Sequence, residues 1–451
     1  MGTARLLLAE ARLITGDGCT DLPRAAVVIE GQRIAGIVEG DAPAEFDGRV
    51  LDLRGFTLLP GLINHHAHGI TTGPLFASAA PPLALETARR HLDQHLAAGV
   101  TTLLNLDGFA LPDEVAAVAD GHPCRVRTAT VHLPGHLTAA EAVDGRGLSP
   151  RHRRFSLEEA IAAGAVAVGE VGSGHTLGGG GQEYMYIPEA IERATGCRIE
   201  PLQARLLKEA VLGRTLTAAG ADRPAVKRAL QRLGLEDRLD VDQAIELVRQ
   251  TVLPAYRRAL AAFPEAAEAA LRWGLPLIVH NSAPSRQVVA ELSEDPRIGI
   301  PAGLRLIAGH SNHDTFTVEE AINFARWLRE RGALIDVSTF DAFGRRHTTD
   351  SPAHLLAMVR EGVVDTLSTD YGGGAPDPML VAIRELVAAG CCSLPQAVAL
   401  ATSNVARALP ELAPERRLIR RGAVADLIWV DAGDVACVRG VIIGGTVIRM
   451  N

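Results

Sequence analysis

Hydrophobic and polar positions follow two different periods along the middle of this chain. Short apolar runs alternate with longer stretches such as TVEEAINFARWLRERG, in which apolar residues recur every three or four positions. The first pattern is typical of buried strands and the second of amphipathic helices, so together they predict parallel β/α units. The predicted strands are 61–68, 100–108, 125–133, 165–173, 276–282, 304–311, 333–339 and 365–372. Their number favours an α/β fold with a closed (β/α)8 barrel of the TIM type, and a doubly wound open sheet is the alternative.

The two ends of the chain carry short strands separated by glycine and acidic turns. RLLLAEARLITG and AAVVIEGQRIAGIVEG lie near the start, and GAVADLIWVD and GVIIGGTVIRM near the end. We predict a small discontinuous β-sandwich domain from residues 1–59 and 405–451, and a barrel over 60–404. Residues 186–272 are charged and helical, which predicts an insertion between strands four and five. It would either cover the barrel mouth or form a packing or subunit surface.

The amino-acid composition excludes some classes of binding partner. The chain has 451 residues, a net charge of −8 and 47% hydrophobic residues, which gives a large core and no basic surface for nucleic acid. No apolar run is long enough to span a membrane, and the first leucine run is too short for a signal peptide. The six cysteines are scattered without a CxxC motif. We therefore expect a cytoplasmic protein with reduced thiols and without a nucleic-acid or membrane partner.

The stretch LLPGLINHHAHG is the strongest chemical signal in the sequence. Alternate residues of a strand share a face, so His66 and His68 point the same way and His65 points to the other. Further nitrogen and oxygen donors end four other predicted strands: Glu170, His280, His310 and Asp370. Because active sites of such barrels lie at the carboxyl ends of the strands, these donors predict a site for zinc or a similar divalent ion.

These residues resemble the amidohydrolase superfamily of metal-dependent hydrolases. The resemblance rests on PGLINHHAH (60–68), on the four donors named above, and on ATSNVARAL and GAVADLIWVD near the end. It covers the chain except for the helical insertion. It implies a centre of two divalent ions, zinc first and iron, manganese or cobalt as alternatives. By the same resemblance, His66, His68 and Asp370 would hold one ion, and His280 and His310 the other.

The bridging ligand departs from the commonest pattern of that superfamily. Many members bridge the metals with a carboxylated lysine, but Lys208 and Lys227 are the only lysines here and both lie in the predicted insertion. Glu170 is then the candidate bridge, which resembles the glutamate-bridged branch of enamidases and adenine-deaminase-like enzymes. Asn64 also departs from the pattern, since the superfamily usually has aspartate there.

The resemblance implies hydrolysis of a C–N bond in a small, cyclic amide, enamide, lactam or imide, and a homo-oligomer. Asp370 would act as general base and then as general acid. The alternatives are a two-metal deaminase of a nitrogen heterocycle and a catalytically inactive relative that serves in assembly. Four residues are candidates for contacts with the substrate: His132, His175, Tyr184 and Arg345.

Overall fold

The computed structural model describes residues 5–178, 180–216, 220–343, 351–370, 378–416 and 418–450. Its strands are β1 (Arg5–Ile14), β2 (Asp21–Glu30), β3 (Arg33–Glu39), β4 (Arg49–Asp52), β5 (Phe56–Pro60), β6 (Leu62–Ala67), β7 (Val100–Asn105), β8 (Arg125–Thr128), β9 (Val168–Val171), β10 (Leu277–His280), β11 (Leu306–Gly309), β12 (Leu334–Ser338), β13 (Thr366–Ser368), β14 (Leu427–Asp431), β15 (Val438–Ile443) and β16 (Thr446–Met450). Its α-helices are α1 (Leu85–Ala97), α2 (Pro112–Ala119), α3 (Pro134–Val143), α4 (Pro150–Arg154), α5 (Leu157–Ala162), α6 (Ile187–Thr195), α7 (Pro201–Leu212), α8 (Arg223–Leu233), α9 (Val241–Ala261), α10 (Phe263–Trp273), α11 (Arg286–Glu294), α12 (Val318–Glu330), α13 (Ala353–Arg360), α14 (Met379–Ala388), α15 (Leu394–Leu400) and α16 (Ser403–Ala408).

Both ends of the chain contribute strands to one eight-stranded sheet. Its order is β16-β15-β14-β5-β1-β2-β3, and β4 pairs with β1. The antiparallel pairing of β5 with β14, with Leu58 opposite Trp429, joins the two ends. Leu13, Leu58 and Trp429 belong to one buried apolar cluster under this sheet. The apolar runs at the two ends are thus buried against each other although about 370 residues of sequence separate β5 from β14.

The middle of the chain forms two parallel sheets with helices between their strands. One has the order β6-β7-β8 and the other β13-β12-β11-β10-β9. Thr130 and Val168 form a parallel bridge between them, and the Asp370 backbone N–H donates to the His66 carbonyl over 2.9 Å at the other edge. Each of these eight strands lies inside its predicted range. The α/β architecture with parallel sheets is confirmed, whereas a continuous closed barrel is not traced by strand pairing among the described residues.

Five helices, α6 to α10, fill the chain between β9 and β10, where the sequence predicts the insertion. Two buried ion pairs tie α7 to other segments. Lys208 Nζ lies 2.6 Å from a carboxylate oxygen of Glu183, and Arg205 Nη1 lies 2.5 Å from a carboxylate oxygen of Asp314. Within the described ranges, no helix has both the length and the apolar character needed to cross a bilayer.

Candidate metal centre

The six predicted metal ligands meet at the carboxyl ends of the parallel strands. They are His66, Glu170 and His280, within β6, β9 and β10, and His68, His310 and Asp370, one or two positions after β6, β11 and β13. A cavity of about 260 Å³ opens beside them, and His68, Glu170, His280 and Asp370 form part of its wall. Parallel strands present their carboxyl ends to the same side, which explains why six ligands distant in sequence converge.

The carboxylate of Glu170 lies between the histidines. Its Oε1 is 2.9 Å from His310 Nε2 and 3.2 Å from His280 Nδ1. Its Oε2 is 3.5 Å from His68 Nε2. Glu170 therefore faces both histidine groups, the position that a bridging ligand requires.

The second group of ligands surrounds Asp370. Its Oδ1 lies 3.3 Å from His66 Nε2 and 3.5 Å from His68 Nε2. Ligand atoms of His66, His68 and Asp370 lie within 4.8 Å of one another, and so do those of His66, Glu170 and His310.

The donor set fits divalent metal ions. The His66 ring is buried, and its Nε2 has no hydrogen-bond partner although it faces two carboxylates. A buried polar atom without a partner is unfavourable unless something else satisfies it. Imidazole and carboxylate donors suit zinc, iron, manganese and cobalt, so the residues present fit the ions that the resemblance implies.

Asp107 orients one of the histidine ligands. His68 Nδ1 lies 2.9 Å from Asp107 Oδ1, and the backbone N–H groups of Gly69 and Phe76 also donate to this carboxylate, over 2.7 and 2.8 Å. With its Nδ1–H directed at Asp107, His68 keeps the lone pair of Nε2 free for a metal. The sequence analysis missed Asp107, although a carboxylate at the end of the second predicted strand, in NLDG, was the signal that could have found it.

The neighbours of His66 hold the strand ends together. His65 points away from the cavity, with its Nε2 3.2 Å from Asp336 Oδ1, as alternation along a strand requires. The Asn64 amide donates to the Thr369 hydroxyl over 2.7 Å and accepts from the Thr369 backbone N–H over 3.2 Å. Asn64 thereby fixes the residue next to Asp370, so the amide at this position has a positioning contact of its own.

The charges of the centre stabilise ionised carboxylates. Burial would raise the pKa of Glu170, but hydrogen bonds from His280 and His310 hold it well below its usual range. Burial also opposes ionisation of Asp370, and the charges of His310 and His66 nevertheless lower its pKa. Conversely, Asp370 and Glu170 overcome the effect of burial and raise the pKa of His310 to about 10. Glu170 and Asp370 thus stay ionised, which is the form in which a carboxylate binds a cation.

Two of the four predicted substrate contacts line the cavity. His175 and Tyr184 form part of its wall. His132 does not: it lines a separate cavity of about 490 Å³ with Phe155 and Trp273, because the chain turns into α3 after β8 and carries the ring away from the metal ligands. Arg345 lies outside the described residues.

Several wall residues were not among the predicted substrate contacts. Phe76, Met185 and Phe340 give the cavity an apolar lining, and His313 and Asp341 add polar groups. Asp341 Oδ2 lies 3.6 Å from His310 Nδ1, so it faces the side of that ring opposite Glu170. Met185 lies in a short π-helix, Gln182–Tyr186, and the other four wall residues come from loops, whose path a periodic pattern does not specify. Among the described residues, the helices of the insertion, α6 to α10, contribute no side chain to the wall of the cavity.

Known proteins resemble this chain in sequence over a short region and in fold over nearly its whole length. No family model matches the chain. An imidazolonepropionase from Anaeromyxobacter dehalogenans (strain 2CP-C) is 36% identical over 120 residues. That alignment covers 25% of this chain and 28% of the relative. The chain thus spans little more than a quarter of the length of this relative.

Solved structures resemble the chain over nearly its whole length. A β-aspartyl dipeptidase from Fervidobacterium islandicum AW-1 aligns with 100% of this chain and 97% of its own, with a TM-score of 0.56 and 15% identity. A prolidase complexed with N-methylphosphonate-L-proline aligns with 99% of this chain and 100% of its own, with a TM-score of 0.59 and 18% identity. A structure described as an amidohydrolase aligns similarly, with a TM-score of 0.56. The chain thus shares the fold of solved structures that include a β-aspartyl dipeptidase, a prolidase and an amidohydrolase.

Proposed function

We propose that this protein is a metal-dependent hydrolase that cleaves a C–N bond in a small cyclic amide, enamide, lactam or imide. The observation that carries the proposal is the position of Glu170, whose carboxylate contacts both His310 and His280 on one side and His68 on the other. A carboxylate that faces two groups of ligands is the arrangement expected of a binuclear centre. The fold shared with hydrolases of C–N bonds supports the same reaction class.

The ligands divide into two groups in this proposal. His66, His68 and Asp370 would hold one ion, and His280 and His310 the other, with Glu170 shared between them. When bound, two divalent ions supply Lewis acidity to the scissile carbonyl and acidity to water. The eight parallel strands would complete the barrel that positions these side chains, with the sheet formed by both chain ends as a separate domain.

Asp370 has the position needed for proton transfer. It lines the cavity, and its side chain keeps 18% of its surface exposed, whereas Glu170 keeps 2%. An ionised carboxylate in contact with the cavity can accept the proton of attacking water at Oδ and deliver it to the leaving nitrogen. The charges of His310 and His66 keep it ionised, and its contacts with His66 and His68 fix its direction.

The cavity suits a small, largely apolar substrate. Phe76, Met185 and Phe340 exclude water around the reacting bond, while Tyr184 and His175 provide polar contacts. The exclusion of water strengthens the electrostatic interactions of the carboxylates that line the cavity.

Metal content per chain tests the proposal directly. Mass spectrometry of gently purified protein should find close to two equivalents, and Glu170→Gln should lose at least one of them because it removes the charge of the shared ligand. Glu158→Gln is the matched control, since Glu158 is about half exposed and lies outside the cavity. Fewer than two equivalents in the wild type, with no loss in Glu170→Gln, would refute the binuclear centre.

Hydrolysis is then measured on a panel of cyclic amides, lactams and imides with the metal-loaded protein. Ring opening that disappears in Asp370→Asn supports the proposed reaction. Release of ammonia from a heterocycle without ring opening would assign the protein to the deaminases instead.

A further inference from the structure

One histidine of the cavity wall is held more rigidly than a substrate contact requires. The His175 ring packs on Phe76, with 4.3 Å between ring centroids, and Phe76 in turn packs on His68. On its other side the backbone of Gly181 approaches so closely that a Cβ there would lie 1.8 Å from Cδ2 of the imidazole. Only glycine leaves room for the ring at this contact, which clamps His175 between an aromatic side chain and the backbone.

A chain of hydroxyl groups leads from His175 to a carboxylate outside the cavity. His175 Nδ1 lies 2.7 Å from the Ser78 hydroxyl and 3.2 Å from the Tyr186 hydroxyl. The Tyr186 hydroxyl in turn donates to Asp144 over 3.0 Å. Arg146 pairs with Asp144 over 2.6 Å and keeps this carboxylate charged.

The carboxylate at the end of this chain fixes the direction of the Tyr186 proton. An ionised carboxylate only accepts hydrogen bonds, so the single proton of Tyr186 is used on Asp144. The oxygen of Tyr186 can then only accept at its 3.2 Å contact with His175 Nδ1. The Nδ1 of His175 must therefore carry the proton of the neutral ring, and the Ser78 oxygen is a second acceptor beside it.

We infer that Ser78, Tyr186 and Asp144 hold His175 as the Nδ1–H tautomer, so that its Nε2 presents a lone pair to the cavity. His175 is then a hydrogen-bond acceptor and takes an N–H or O–H group of the bound molecule. Ser78, Tyr186 and Asp144 are positioning residues, because they reach the substrate only through His175. Asp144 and Tyr186 also line a second, polar cleft on the far side. The role toward substrate rests on the proposed function, whereas the tautomer does not.

The charge state of His175 agrees with this arrangement. Burial and the neighbouring His68 lower the pKa of His175 to about 4, against the opposing effect of Asp144. The ring is thus neutral at pH 7, and its free nitrogen remains available as an acceptor.

Nitrogen NMR of the whole protein, labelled with ¹⁵N-histidine, identifies which ring nitrogen carries the proton. Long-range ¹H–¹⁵N correlations should show His175 as the Nδ1–H tautomer in the wild type, with its signals assigned by their loss in His175→Gln. An Nε2–H tautomer in the wild type would overturn the inference, whether or not the protein hydrolyses amides. The measurement needs no substrate, so its failure is distinguishable from failure of the proposed function.

Substitutions of Tyr186 and of Ser78 have different expected effects on the tautomer of His175. Tyr186→Phe removes the acceptor oxygen that Asp144 orients, so the Ser78 hydroxyl can donate to Nδ1 and His175 changes to the Nε2–H tautomer. Ser78→Ala leaves the Tyr186 oxygen as an acceptor, so the tautomer of His175 should stay unchanged. This variant also tests the network if Tyr186→Phe does not fold. Tyr256→Phe is the matched control, because Tyr256 is buried like Tyr186 and its hydroxyl donates to the Pro284 carbonyl. A switch in Ser78→Ala, or no switch in a folded Tyr186→Phe, would overturn the directing role of Asp144.

Discussion

Replacing Asp107 by asparagine should weaken one metal site without removing a ligand. The three donors that converge on this carboxylate are His68 Nδ1–H and the backbone N–H groups of Gly69 and Phe76. An asparagine side chain has one acceptor oxygen and one NH₂ group. If its oxygen keeps the contacts with His68 and Phe76, its NH₂ faces the N–H of Gly69 at a distance where two donors repel. If the amide is reversed, its NH₂ donates to His68 Nδ1 and moves the ring proton to Nε2, which blocks metal binding.

The expected loss of metal affinity follows from the hydrogen bond between His68 and Asp107 that the substitution removes. A buried hydrogen bond to a charged group contributes about 1.5–3 kcal/mol. At about 1.4 kcal/mol per factor of ten, this corresponds to a loss of roughly 10–100-fold in affinity for one ion. In the proposed centre the second ion would be held by His280 and His310, and its affinity should not change because neither ring contacts Asp107.

Competition with a fluorescent chelator measures both affinities in the same titration. Asp113→Asn is the matched control: it makes the same chemical change at a residue whose side chain is 60% exposed and pairs with Arg151 on the surface. Unchanged affinity for both ions in Asp107→Asn would refute the view that Asp107 fixes the tautomer of His68. Equal loss at both sites would show instead a general disturbance of the fold.

Three further results are expected. Lys208→Met should destabilise the protein by about 3–5 kcal/mol in urea unfolding, because it leaves the buried charge of Glu183 without its partner. The exposed Lys227→Met should have little effect, and equal losses of stability in the two variants would contradict this prediction. Glu320 has its pKa lowered to about 2, chiefly by a hydrogen bond from Arg214, so the stability that it contributes is complete above pH 4.5 and is lost as the pH falls toward 2. The difference in stability between wild type and Glu320→Gln should shrink over that interval and stay constant above it. Removing metal with a chelator should lower Tm, and restoring zinc to about 100 times its Kd should return about 2.7 kcal/mol; a Tm that does not depend on metal would contradict a folded-state site.

Local periodicity was enough to locate the strands and to select most of the candidate metal ligands. The alternation of side chains places His66 and His68 on one face and His65 on the other, whatever the rest of the chain does. The burial of eight apolar runs between helical stretches then requires parallel strands, and parallel strands bring His280, His310 and Asp370 to one side. Each of these steps uses only the period of a strand and the solvent preference of its residues.

The contacts between distant residues were decided by the tertiary structure alone. Asp107 meets His68 because two neighbouring strands are paired in a particular register, and Asp341 faces His310 because a loop returns over the cavity. The same packing carries His132 into another cavity, although its place after a strand resembles that of His310. A strand's period fixes the face on which a side chain lies, but the register of pairing and the path of a loop depend on contacts summed over the whole core. For that reason the sequence determined which residues could bind metal, and only the folded chain decided which partners orient them.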